Sequence, residues 1–260
     1  MHSRPYALHA ASSKVPMDRD FETAQMAPTT PTLGVNRLIG DLPRRERDAV
    51  LRHCETLDLD QGSILCEPSQ PFRHVYFPVA GFISFVTTLD SHRPLQVGLI
   101  GNEGMLGATL VLGVNTAPMQ ACVQGAGRAL RMSATQLLRQ LRRNPELRRT
   151  LHRYLYIQLA QVSQSAACLH FHEVEPRLAQ WLLMTQDRAQ SDHFYLTHNT
   201  LADLLGVRRS GITIAAGALQ RKNIIRHSRG EISIRDRAGL EAASCSCYQR
   251  QLQNHMERLA

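Results

Sequence analysis

Between residues 198 and 234 the chain meets a set of constraints that few local structures share. Counted from His198, the fifth position is Ala202 and the ninth is Gly206. Two helices that cross at a short turn need a small residue where they approach, and a residue that accepts positive φ cheaply where the chain reverses. Leu201, Leu205, Val207, Ile212 and Ala215 fall where such a crossing buries side chains. The second helix is predicted over 208–221, with Ile212, Ala215, Ala216 and Leu219 at i, i+3, i+4 and i+7. Its remaining face carries Arg208, Arg209, Ser210, Thr213 and Ile214. Beyond it, Ile224 and Ile225, a turn-like His227-Ser228-Arg229-Gly230, and alternating Ile232 and Ile234 read as a hairpin. Together these make a winged helix-turn-helix. The plainer alternative is a helical hairpin with a solvated basic face, and Gly211 and Gly217 weigh toward it, since each costs about 0.8–1 kcal/mol against Ala inside a helix.

Charge favours the first reading. The formal net charge is +8, and it is unevenly placed. Residues 55–135 hold four arginines against six acids, whereas residues 196–237 hold eight bases against three. A positive field concentrated on a helix-turn-helix points to a polyanion, and double-stranded DNA is the expected partner. The five exposed residues of the second helix are the candidates for the groove, and Arg226 and Arg229 on the hairpin are candidates for phosphate.

The rest of the chain is organised differently. Residues 1–36 are rich in Pro, Ser, Thr and Ala without sustained period, and are expected to form a mobile tail. A short helix is expected over 43–57, where Val50 and Cys54 lie one turn apart. From 59 to 132 come short β-type runs, at 74–78, 81–88, 95–100, 119–124 and 128–132, broken by Gly, Pro and Asp. Such spacing predicts a roll or double sheet rather than parallel α/β units. Leu151, Leu155, Leu159, Val162, Ala166 and Leu169 then recur at steps of three and four on one face of a long helix. That strip serves either a dimer seam or packing within its own domain. Another helix starts near Glu173 and Pro176, with an acidic first turn that suits the helix dipole.

At this point the chain resembles the Crp/Fnr regulators. The resemblance rests on the run Leu201-Ala202-Asp203-Leu204-Leu205-Gly206-Val207-Arg208-Arg209-Ser210. In the β-part it rests on Val75-Tyr76-Phe77-Pro78-Val79-Ala80-Gly81 and Gly101-Asn102-Glu103-Gly104-Met105-Leu106-Gly107. It implies an α+β chain: an N-terminal β-roll, double-stranded and jelly-roll-like, at 37–144, a dimerisation helix at 145–171, a winged helix-turn-helix at 172–244 and a C-terminal tail at 245–260. It further implies a sequence-specific transcription regulator, a homodimer on a two-fold symmetric operator, working with RNA polymerase. Cyclic-nucleotide-binding relatives hold the ribose with a Glu after the glycine and the phosphate with an Arg. Around Gly107 the corresponding places here are Ala108, Met119 and Gln120. Without its Arg a buried phosphate loses its charge-assisted bidentate partner, so cyclic AMP in the usual pose is not expected. In the recognition helix Arg209 matches the family's first base-reading arginine, while Ser210 and Ile214 replace a common Glu and Arg.

No other constellation stands out. No paired-carboxylate, Ser-His-Asp or phosphate-loop pattern supports an enzyme. The cofactor is unknown, with none evident, and any effector is an unidentified small molecule. Cys245-x-Cys247 has no complementary Cys/His pair at zinc-finger spacing, and no metal set is expected. His170-x-His172 falls at the joint between two helices, where it could ligate metal or haem, sense pH, or be a pair of polar residues at a helix end. A haem- or small-molecule-binding sensor with non-specific nucleic-acid binding is the alternative function. No apolar run spans a bilayer, no secretion signal is visible, and a cytoplasmic protein is expected.

Overall fold

The computed structural model describes residues 35–89 and 93–259. Residues 1–34, where most of the expected mobile tail falls, lie outside them. Its end does not behave as a tail: Asn36 is fully buried, donates from Nδ2 to the carbonyls of Pro78 (2.9 Å) and Gly104 (2.8 Å), and caps helix α1 (Arg37–Gly40) through its Oδ1. The expected helix over 43–57 is shorter, α2 (Arg44–Leu51), because the chain turns extended at Glu55 to pair in the sheet.

The β-part is antiparallel throughout. Strands β1 (Glu55–Leu59), β2 (Ile64–Cys66), β3 (His74–Thr87), β4 (Leu95–Ile100) and β5 (Gln120–Ser133) form a sheet in the order β1-β5-β3-β4, with β2 also on β5. The separate runs at 74–78 and 81–88 fuse into β3, and those at 119–124 and 128–132 into β5. What interrupts the pattern is a bend, where the β3–β5 register shifts around Ala80. Gly81 takes φ 74° there, and a Cβ on Gly127 would collide with the Ala80 carbonyl oxygen. Only glycine permits that approach, so the two long strands fold over together.

Inside the bend Val75, Phe77, Ile83, Ile100, Met105 and Leu106 are fully buried. Helix α3 (Ala134–Arg143), which starts on a Ser133 side-chain cap, is followed by α4 (Pro145–Phe171), with proline in its first turn where no donor is lost. Leu147, Leu151 and Tyr154 of α4 belong to the β-part's core.

The C-terminal part has its own core. Helix α5 (Val174–Ala189) leads to β6 (His193–Tyr195), α6 (His198–Leu205), α7 (Arg209–Arg221), the hairpin β7 (Ile225–Ser228) and β8 (Glu231–Ile234), α8 (Arg237–Ala243) and α9 (Cys247–Leu259). The wing is three-stranded, β6-β8-β7, one strand more than the sequence suggests. Residues 245–260, expected as a tail, contain α9 packed against α4. Tyr248 is buried there, its hydroxyl donating to Asp187 (2.9 Å) and accepting from Arg237 (2.7 Å). Phe82 and Leu99 of the β-part join this second core.

Candidate nucleic-acid interface

The helix-turn-helix is built as its side chains dictate. Thr197 caps α6, its Oγ1 accepting from the Thr200 amide at 3.1 Å. Gly206 ends that helix at φ 62°, in the left-handed region where a side chain would be strained. Ala202 is buried at the crossing, its carbonyl accepting from the Val207 amide at 2.9 Å, and Leu201, Leu205, Ile212, Ala215, Ala216 and Leu219 form the contact.

That packing leaves one face outward. Arg208, Arg209, Ser210, Thr213 and Ile214 are all exposed, and Ile214 is 71% exposed although nothing polar holds it there. Arg226 and Arg229 are exposed on the wing. Arg229 (φ 50°) and Gly230 (φ 85°) form the two-residue turn between the Ser228–Glu231 pair, a geometry whose twist matches the strands and lifts the arginine to the tip. Thr213 is less available than its exposure suggests, for its hydroxyl donates to the Arg209 carbonyl (3.1 Å) and lies 3.0 Å from His198 Nδ1.

His198 was not singled out by sequence. It stacks on His227 of the wing with ring centroids 4.2 Å apart, and joins the wing to the helix-turn-helix. Burial pushes the His198 imidazole below its ordinary range, helped by the charge of His227 and Arg209, and burial does the same to His227. No local pattern links residues 29 positions apart, so this pair had no sequence signal.

The apolar strip of α4 divides. Leu151 is fully buried in the β-part's core and Leu155 packs against it, so of the two readings of the strip these residues take packing within their own domain and drop out of the dimer seam: α4's first turns are covered by its own chain. Leu159 is 67% exposed, and Val162, Ala166 and Leu169 are also on the surface.

Gly107, Ala108, Met119 and Gln120, the expected effector residues, do not line the cavity found in the β-part. Gly107, at φ 93°, turns the chain into a 3-10 segment at Ala108–Leu112, whose Ala108 and Leu110 are buried. Met119 and Gln120 are half-buried, and the Gln120 amide donates to Glu67 at 2.9 Å. A cavity of about 490 Å³ in the β-part is lined instead by residues such as Cys66, Phe72, Arg73, His74 and Tyr76.

The cysteines require a further correction. A complementary pair for Cys245 and Cys247 does exist, Cys168 and His172, brought in from α4. Zinc-finger spacing near Cys245 does not reveal this pair, because Cys168 and His172, one helical turn apart, stand more than 70 residues before it. His170 is exposed, its ring edge-on to Phe171.

Fold and interface together define a two-part regulator, a β-sheet domain joined by a long helix to a winged helix-turn-helix. The family model for a cyclic nucleotide-binding domain matches residues 56–144 and that for a Crp-like helix-turn-helix domain matches 176–243. The chain belongs to the Crp/Fnr family of transcription regulators and carries its DNA-binding helix-turn-helix domain. Among solved structures it is similar to FixK2 from Bradyrhizobium japonicum (16% identity, 74% of this chain and 98% of that one, TM-score 0.62). It is equally similar to a putative Crp/Fnr regulator from Eubacterium rectale (16%, 82% and 97%, 0.62). The c-di-GMP responsive global regulator CLP of Xanthomonas campestris follows (16%, 74% and 99%, 0.60). At these identities the likeness is one of fold. No curated protein matches the chain. Among the described residues no helix is long and apolar enough to cross a membrane.

Proposed function

We propose that this protein is a cytoplasmic, sequence-specific transcription regulator that binds as a homodimer to a two-fold symmetric operator and works with RNA polymerase. The observation that carries this is the outward face of α7. Arg208, Arg209, Ser210, Thr213 and Ile214 line the first half of a helix whose opposite face is wholly committed to packing. In the major groove this places Arg209 near the base edges, with Ile214 available to a thymine methyl, while Arg226 and Arg229 meet phosphate. The exposed Leu159, Val162, Ala166 and Leu169 supply the seam of the dimer, which sets the half-sites about 10 base pairs apart.

The β-part supports the dimer or answers to a ligand other than cyclic AMP in its usual pose. Ala108, which the resemblance sets against the family's ribose-binding carboxylate, is buried, and Gln120 donates to Glu67. The test is a titration of a selected operator against random duplex at fixed salt. A preference of about a thousandfold or more is expected for a reader of sequence. Equal affinities would reduce the protein to a non-specific binder.

A further inference from the structure

At the joint between α4 and α5, four side chains from two distant stretches of sequence converge. Cys168 occupies the last turn of α4 and His172 caps it, while Cys245 precedes α9 and Cys247 opens it. Their donor atoms, three Sγ and one imidazole nitrogen, all lie within 4.8 Å of one another, and the three cysteines are buried. We infer that they form a Cys3His site for one tetrahedral divalent metal ion of the zinc type, which clasps the C-terminal helix to the α4–α5 joint.

The distances between the donor atoms are those of a tetrahedral metal's ligand shell and are too long for a disulfide. Zinc bonds of about 2.3 Å to sulfur and 2.0–2.1 Å to nitrogen make a tetrahedron with edges of about 3.8 Å between sulfurs and 3.6 Å between sulfur and nitrogen. Cys168 Sγ and Cys245 Sγ are 3.8 Å apart. His172 Nδ1 is 3.5 Å from Cys168 Sγ and 3.5 Å from Cys247 Sγ. A disulfide would require two sulfurs at about 2.05 Å and would leave the imidazole and the third thiol without a purpose. Thiolates and imidazole select zinc and its neighbours over magnesium or calcium, and four protein donors leave no open position, so the role is structural.

The surroundings suit a charged centre. The thiols of Cys245 and Cys168 both donate to Gln180 Oε1, at 3.0 and 3.4 Å. With those thiols ionised on a metal, a half-turn of the Gln180 amide would exchange its oxygen for its NH2 and let it donate to two thiolates, the usual outer support of such sites. Three thiolates and a neutral imidazole around a dication carry a net charge of −1. The buried Arg177 guanidinium, close enough to interact with Cys168 and Cys245, offsets it. Hydrogen bonds to main-chain carbonyls brace the ring of ligands, from the Cys245 amide to Pro176 (3.3 Å) and from the Gln164 side-chain Nε2 to Cys247 (3.0 Å).

The experiment uses the full chain, purified under reducing conditions without chelator. Elemental analysis is expected to find about one zinc per chain. After exchange, cobalt(II) is expected to give the visible bands of a tetrahedral site and thiolate charge-transfer absorption. Both signals should be lost or strongly reduced in Cys245→Ser and Cys247→Ser and kept in Cys122→Ser, whose thiol lies on β5 away from the cluster. Should the serine variants fold poorly, thiol counting on the unaltered protein decides: three thiols are expected to become reactive only when the metal is stripped. Reduced protein that holds no zinc and yields no tetrahedral cobalt spectrum overturns the inference. So does a Cys168–Cys245 disulfide in place of metal, or a spectrum that Cys245→Ser leaves unchanged.

Discussion

Arg188 on α5 and Glu103, in the loop after β4, meet at 2.7 Å with their side chains only 9% and 13% exposed. The pair lies where the C-terminal part docks on the β-part. Arg188 also donates to the Met184 carbonyl (3.0 Å), and Glu103 accepts from the Gly101 amide (3.2 Å), so each charge is held from its own side as well. Around it, Trp181 Nε1 reaches Gln96 Oε1 (3.3 Å) and Arg93 pairs with Asp203 of α6 (2.9 Å).

Removing one member of a buried ion pair strands the other. Glu103→Gln is expected to lower stability by about 3–5 kcal/mol. The double variant Glu103→Gln, Arg188→Met should recover much of that loss, which equilibrium denaturation of the three proteins measures. The exposed Arg93–Asp203 pair should contribute about 0–1 kcal/mol in the same assay.

The two halves of the α4 strip predict opposite outcomes. Leu159→Glu with Val162→Glu changes exposed positions, so the chain should fold normally yet run as a monomer in light scattering and lose affinity for a symmetric site. Leu151→Ala should leave the association intact while lowering stability by about 2–5 kcal/mol, because it empties a site in the β-part's core.

The stacked histidines predict a pH effect of defined sign. Both have folded-state values lowered from the ordinary 6.5, by burial first and, for His198, by the neighbouring charges of His227 and Arg209. The unfolded chain then binds more protons than the folded one once pH falls below about 6.5, so stability declines as the solution is acidified. Melting temperatures between pH 7.5 and 5 should fall, and His227→Gln should flatten part of that slope.

Cyclic AMP is expected neither to bind tightly nor to alter DNA affinity, since no guanidinium or carboxylate stands at Ala108, Met119 or Gln120. Calorimetry checks this, and submicromolar binding would show that the loop has another way of holding the phosphate.

What the sequence makes legible is what local periodicity encodes. Ala202, Gly206 and the spacing of Ile212, Ala215 and Leu219 define the helix crossing because every partner lies within about 20 residues. The α+β class is readable for the same reason. Periodicity does not say which surface covers an apolar strip, so Leu151 and Leu159 look alike in sequence and part company in the fold. Nor does it register a bend that depends on Gly81 and Gly127 meeting across strands. Helix α9 carries little apolar period, and among its described side chains Tyr248 is the one large apolar group that is buried. The Cys168, His172, Cys245 and Cys247 cluster depends on two segments more than 70 residues apart and is created by the docking of α9 on α4.

In the proposed complex α7 reads sequence and the wing does not. Binding selection from a randomised duplex library, run on the unaltered protein, Arg209→Ala and Arg229→Ala, separates the two roles. Arg209→Ala should cost about 1–3 kcal/mol on the best operator and relax the preference at one base pair of each half-site, symmetrically. Arg229→Ala should weaken all duplexes alike and flatten the salt dependence while leaving the selected sequence as it was. An Arg209→Ala protein that selects the same operator as the unaltered chain would mean that α7 is not the reader.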